Sequence, residues 1–154
     1  MGPEQGGRIG DRVSAARERA FVGRAVEREL LRAALAQYPG APTVLFLHGP
    51  GGIGKSSLLR MFALEASKAG RRVVLVDGRT VSPTPEGFAE AAGNLAQGPP
   101  AVLLVDTFEY SQGLEEWLRE HFLQQLPYGT VVVIAGRNAP DPHWVADHGA
   151  ACST

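Results

Sequence analysis

At 154 residues, the chain has the size of one domain and is long enough to bury a hydrophobic core. Hydrophobic residues at 44% and charged residues at 20% are ordinary for a soluble globular protein, and the net charge of −1 excludes a bulk attraction to nucleic acid or anionic membranes. The single cysteine, Cys152, excludes an internal disulfide, and no apolar run is long enough to span a membrane. We therefore expect a cytoplasmic protein with no membrane partner and no direct nucleic-acid binding.

The first half of the chain alternates helical patterns with apolar runs. Residues 1–20 are rich in Gly, Arg and Glu and predict a flexible arm. Residues 21–40 carry leucine and alanine at helical spacing, and residues 56–70 repeat that pattern before a closing glycine. The runs 43–48 and 71–78 have no polar alternation, which is typical of strands buried on both faces of a parallel sheet.

The second half repeats this alternation. Residues 81–100 predict a turn, a helix and a second turn, followed by a third buried strand over 101–106. Residues 113–129 predict an amphipathic helix, and 130–136 a fourth strand. Residues 141–154 show no clear element and predict an irregular tail. The alternation predicts an α/β fold with a mainly parallel sheet of about four strands and helices on both faces, formed by a domain over residues 21–140.

A glycine-rich segment lies between the first strand and the following helix. It reads Gly49-Pro50-Gly51-Gly52-Ile53-Gly54-Lys55-Ser56-Ser57 and fits the phosphate-binding pattern G-x-x-x-x-G-K-[ST]. Such a loop wraps a polyphosphate with backbone N–H groups, and the helix that follows directs its positive end at the same phosphates. We expect all nine residues to contact the nucleotide, with Lys55 on the β- and γ-phosphates and Ser56 on Mg²⁺. The fold class is then a P-loop NTPase three-layer sandwich, with predicted strand order 2-3-4-1.

Three residues near later strand ends complete the predicted site. Asp106 ends the third strand and is expected to hold Mg²⁺, through water, together with Ser56. Glu109 follows three residues later and is a candidate for orienting the attacking water. Arg137 follows the fourth strand, at the edge where open α/β sheets bind their ligands. If the fourth strand lies between the first and the third, Arg137 faces the γ-phosphate. Asp77, at the end of the second strand, is interpreted as structural.

Four motifs together resemble the nucleotide-binding domain of STAND ATPases, the signal-transduction ATPases with numerous domains. They are FVGRAVERELL (21–31), HGPGGIGKSSLL (48–59), VLLVDTFE (102–109) and VVVIAGR (131–137), and the similarity is to bacterial regulators with an AAA-like domain. The resemblance implies that Phe21, Val22, Gly23 and Arg24 lie over the adenine of bound ATP or ADP. It also implies that Asp106 and Glu109 serve Mg²⁺-dependent hydrolysis, while Arg137 senses the γ-phosphate. Members act as switches that self-associate or act on other regulatory domains when ATP is bound.

The chain also departs from the family pattern, and other functions remain open. Thr107 follows Asp106 where related ATPases often place a second acid, which predicts slow hydrolysis. The C-terminal lid that usually follows is missing, so we expect a truncated or degenerate relative. A nucleotide-binding module without hydrolysis and a small-molecule P-loop kinase are alternatives. A GTPase is a further alternative, although GRNAPD (136–141) stands where its Asn-Lys-x-Asp motif is expected.

Overall fold

The computed structural model describes residues 25–37, 43–49, 54–144 and 151–153. These residues form a five-stranded, fully parallel sheet in the order β2-β3-β4-β1-β5. The strands are β1 (Val44–His48), β2 (Val73–Asp77), β3 (Val102–Asp106), β4 (Val131–Gly136) and β5 (Ala151–Ser153). The α/β fold class and the predicted order of the first four strands are confirmed.

Helices cover both faces of the sheet. The regular ones are α1 (Ala25–Leu35), α2 (Lys55–Lys68) and α3 (Pro85–Ala92). Helix α3 begins as its sequence predicts, because Thr84 caps it by accepting a hydrogen bond from the Gly87 amide at 3.0 Å and a proline occupies its first position. Among the described residues, no helix has both the length and the apolar character needed to cross a membrane.

Successive residues of each central strand point to opposite faces and build two separate cores. One core contains Leu45 and Leu47 of β1 and packs under α1 and α2. The other contains Val44 and Phe46 of β1 and packs under α3 and the segment that follows β3. This two-sided burial explains why β1, β3 and β4 are continuous apolar runs in the sequence.

The predicted helix over 113–129 is present but is wound irregularly. Phe108–Leu114 forms a 3₁₀ helix, Glu115–Trp117 a short α-helical turn, Leu118–Phe122 a π-helical turn and Leu123–Gln125 a second 3₁₀ turn. We call residues 108–125 the helical connection. The apolar face expected from the sequence is buried at Leu114, Leu118 and Phe122, so the pattern identified the buried residues but not the winding.

The C-terminal residues correct the expectation of an irregular tail over 141–154. The expected sheet of about four strands is present with one strand more, because residues 151–153 form β5 and pair in parallel with residues 45–47 of β1. Trp144 is fully buried, with its ring 4.9 Å from that of Phe46 in an edge-on arrangement. The sheet and its core therefore extend past residue 140. A three-residue strand lacks the length that makes a periodic pattern recognisable.

Candidate functional site

A cavity of about 510 Å³ opens at the carboxyl-terminal edge of the sheet. Ligands bind at this edge in open α/β folds, because the loops that leave parallel strands meet there. The residues that line the cavity are Gly54, Lys55, Ser56, Ser57, Arg79, Asp106, Thr107, Glu109, Tyr110 and Arg137. Three cationic and two anionic side chains therefore face one space, from α2 and from the segments after β2, β3 and β4.

The first turn of α2 forms one wall of this cavity. Gly54 precedes the helix with φ of 87°, a left-handed conformation that glycine adopts without strain. Within the described part of the chain, no side chain caps the helix start. The first backbone N–H groups of a 14-residue helix are therefore available to an anion. The Lys55 ammonium donates a hydrogen bond of 2.6 Å to the Gly49 carbonyl, so the two ends of the glycine-rich segment are tied together.

Ser56 and Asp106 meet on the floor of the cavity. The Ser56 hydroxyl donates to Oδ2 of Asp106 at 3.0 Å, although the two residues are 50 positions apart in the chain. Thr107 donates from its hydroxyl to the other oxygen, Oδ1, at 3.3 Å. Thr107 adopts a left-handed backbone conformation (φ 55°, ψ 48°), which is unusual for a β-branched residue and costs about 1–3 kcal/mol. Both oxygens of the carboxylate are thus oriented by hydroxyl groups.

Glu109 and Arg137 form the opposite wall. Strand β4 lies between β1 and β3, which was the condition for Arg137 to lie on the phosphate side. The Arg137 amide donates to Oε1 of Glu109 at 3.1 Å, and the Arg137 guanidinium lies 3.6 Å from Oε2. The Arg137 side chain is 66% exposed, against 21% for Glu109. The carboxylate is therefore held in place, while the guanidinium extends into solvent.

Arg79, which was not among the predicted site residues, also lines the cavity. The Asp77 carboxylate accepts hydrogen bonds from the Arg79 amide (3.0 Å), from its Nε (3.2 Å) and from its Nη2 (3.1 Å). The hydrogen bond from the Arg79 side chain is the main cause that lowers the pKa of Asp77. Asp77, interpreted as structural, thus orients a cavity residue. The sequence Asp77-Gly78-Arg79 places an arginine just after β2, but only the pairing of β2 with β3 brings this arginine to the cavity.

The structure brings together Lys55, Ser56, Ser57, Asp106, Glu109 and Arg137, together with Gly54, in one cavity. Tyr110 and Thr107 join them without having been predicted as site residues. Gly49 directly follows β1, and its amide donates to the Gly136 carbonyl at 3.2 Å. The remaining predicted residues lie outside the described residues: Phe21, Val22, Gly23, Arg24, Pro50, Gly51, Gly52 and Ile53. The roles of all the predicted residues stay predictions.

Comparison with protein families gives one match. The sequence model of the family described as Novel STAND NTPase 5 matches residues 12–143, which is most of the chain. This agrees with the resemblance carried by the sequence motifs. No curated protein sequence matches the chain significantly.

Two solved structures are similar in fold. One, a DNA replication initiation factor, has a TM-score of 0.58 and 19% identity, and the match covers 85% of this chain and 45% of that protein. The other is AMPPCP-bound DnaA from Aquifex aeolicus, with a TM-score of 0.58 and 20% identity, over 84% of this chain and 46% of DnaA. The chain therefore spans less than half the length of either structure. At this level of identity the similarity concerns the fold.

Proposed function

The chain belongs to the Novel STAND NTPase 5 family, and we propose that it binds ATP and ADP as the nucleotide-binding domain of a regulatory switch. Its hydrolysis of ATP is Mg²⁺-dependent and slow. The observation that carries this proposal is the hydrogen bond between Ser56 and Asp106, 3.0 Å long, directly beside Lys55 at the N-terminus of α2. A hydroxyl, a carboxylate, a lysine and helix N–H groups around one cavity are the groups that Mg²⁺ and a polyphosphate require.

The residues present fit a magnesium ion. Mg²⁺ prefers oxygen ligands and is usually held by one or two protein groups together with phosphate oxygens and water. Ser56 and Asp106 offer a hydroxyl and a carboxylate 3.0 Å apart, so Mg²⁺ would be held by the Ser56 hydroxyl oxygen and, through water, by Asp106. When bound, the ion supplies charge neutralisation at the β- and γ-phosphates. Thr107 holds the second oxygen of Asp106 and keeps the carboxylate oriented.

The other residues of the cavity supply binding and orientation. Lys55 lies at the start of α2, where its charge and the helix dipole favour the same phosphates. Glu109 accepts a hydrogen bond from the Arg137 amide and is thereby positioned to accept one from a water molecule that attacks the γ-phosphate. Arg137 pairs with Glu109 in this structure and gains a second anionic partner when a γ-phosphate is present. This second partner is present with ATP and absent with ADP, so it gives the domain a difference between its two nucleotide-bound forms.

The regulatory role rests on the family. STAND proteins use this domain to couple nucleotide state to conformation or to self-association, and we propose the same coupling here. The AMPPCP-bound DnaA with a similar fold contains an ATP analogue, which supports a nucleotide as the ligand of this fold. The partners that we propose are the nucleotide itself, further copies of the chain or other regulatory domains, in a cytoplasmic setting.

Turnover tests the enzymatic part of the proposal. Glu109→Gln keeps the hydrogen bond to the Arg137 amide but removes the negative charge that accepts a proton, so we expect nucleotide affinity within about twofold and hydrolysis slowed about 100-fold. The measurement is phosphate release from γ-labelled ATP, with Glu120→Gln, an exposed glutamate of the helical connection, as the control. Unchanged turnover in Glu109→Gln would contradict the role of Glu109. Transfer of label to an acceptor other than water would favour the kinase alternative.

A further inference from the structure

Arg79 enters the cavity from the side opposite Arg137. Asp77 and Asp106 are register partners at the ends of β2 and β3, so the residues just after β2 lie beside the Asp106 carboxylate. Arg79 lines the cavity together with Ser56 and Asp106, and these three residues also line a neighbouring groove between α2 and β2. Arg79 and Arg137 therefore flank Asp106 from the two strands that adjoin β3.

The acidic partner of Arg79 lies outside the cavity. Asp77 binds Nε and Nη2 of the guanidinium and is absent from the described residues that line the cavity. By contrast, Glu109, the partner of Arg137, lines the cavity itself. Asp77 thus holds the guanidinium from outside and limits the number of orientations it can adopt. Within the described part of the chain, Nη1 of Arg79 has no hydrogen-bond partner, and the side chain is 63% exposed.

From this arrangement we propose that Arg79 is a ligand of the terminal phosphate and makes the site select ATP over ADP. The inference rests on the proposed nucleotide-binding function and deepens it. A planar guanidinium held along one edge offers its other N–H groups to phosphate oxygens in a fixed fork, which a lysine cannot reproduce. The location beside Asp106 and Ser56 directs it to the Mg²⁺ side of the phosphates. The β-phosphate is held by Lys55 and by the backbone N–H groups at the start of α2.

The test is the ratio of ATP to ADP affinity, measured by calorimetry with Mg²⁺ on the whole chain. Arg79→Ala should lower ATP affinity about tenfold and leave ADP affinity within about twofold, because only ATP carries the phosphate that Arg79 contacts. Arg79→Lys should recover only part of the loss. Asp77→Asn should shift the ratio in the same direction but less, since it loosens the guanidinium without removing it.

The matched control is Arg60→Ala. Arg60 is an exposed arginine on α2 that lines the neighbouring groove with Arg79 but not the cavity, so both affinities should stay within about twofold. The inference would be overturned if Arg79→Ala left the ratio of ATP to ADP affinity unchanged, for example by weakening the binding of both nucleotides equally. In that case, nucleotide binding by the wild-type chain would still support the proposed function. A folded wild-type chain that binds neither nucleotide would overturn both.

Discussion

Gly78 lies beside the site and so close to the backbone of Asp106 and Thr107 that we predict it tolerates no side chain. A Cβ atom built at Gly78 would lie 2.3 Å from the Thr107 carbonyl oxygen and 3.2 Å from that of Asp106. The first distance is about 1 Å short of ordinary van der Waals contact. The obstructing atoms belong to the backbone, so no rotamer change relieves the overlap. In Gly78→Ala, the ends of β2 and β3 must therefore separate.

The structure gives the size of the effect. Overpacking against a fixed neighbour costs about 1–3 kcal/mol. Separation of the strand ends also weakens the 2.8 Å hydrogen bond from the Gly78 amide to the Asp106 carbonyl. Its loss adds about 1 kcal/mol, and the total of about 2–4 kcal/mol corresponds to a fall in melting temperature of about 5–15 °C for a domain of this size. Urea unfolding followed by circular dichroism measures the change in free energy.

The control is Gly113→Ala. Gly113 lies in the helical connection, and a Cβ atom there meets no atom of the described residues within 4 Å beyond its immediate neighbours. We expect the free energy of unfolding to change by less than about 0.5 kcal/mol or to rise slightly, because alanine reduces the freedom of the unfolded chain. If Gly78→Ala were as stable as wild type, or no less stable than Gly113→Ala, the close approach of β2 and β3 described here would be incorrect.

Two further predictions concern stability. Trp144→Ala should lower the free energy of unfolding by about 3–5 kcal/mol, because it empties a fully buried site against Phe46. A loss below about 1 kcal/mol in urea unfolding would contradict the burial of this ring. The hydrogen bond from Arg32, with help from Arg28, lowers the pKa of Glu65 below its ordinary value of 4.5. The ionised Glu65 carboxylate therefore stabilises the fold above pH 4.5, and this stabilisation is lost as the pH falls through the lowered pKa of Glu65. Glu65→Gln should thus be less stable than wild type at neutral pH and equal to it under strong acid, and a difference that persists in acid would refute the assignment.

Most of the fold could be predicted from the sequence because most of the helices and strands have long, unambiguous sequence patterns. The buried strands β1, β3 and β4 are apolar runs between glycine-rich or polar turns, and α3 begins with a capping threonine and a proline. Strand β5 was missed because three residues give no periodic signal. The irregular winding of the helical connection was missed because the same apolar spacing fits α, 3₁₀ and π turns within a short segment.

The site could be predicted where function requires particular residue types at fixed spacing. Lys55 and Ser56 follow from the glycine-rich pattern, and Asp106 follows from its place at a strand end. Arg79 could not be found in this way, because its place in the cavity depends on the pairing of β2 with β3 and on its ion pair with Asp77. Long-range pairing of this kind is a property of the folded sheet and leaves no local spacing in the sequence.

One measurement tests the central proposal most directly. Calorimetric titration of the chain with ATP, ADP and GTP in the presence of Mg²⁺ reports whether these residues bind a nucleotide, and circular dichroism confirms that each protein is folded. We predict that the wild-type chain binds the adenine nucleotides in preference to GTP and that Lys55→Ala loses most of this affinity, since it removes the charge at the start of α2. Equal affinity in Lys55→Ala and wild type, or no binding by the folded wild-type chain, would contradict the assignment of this cavity as a nucleotide site.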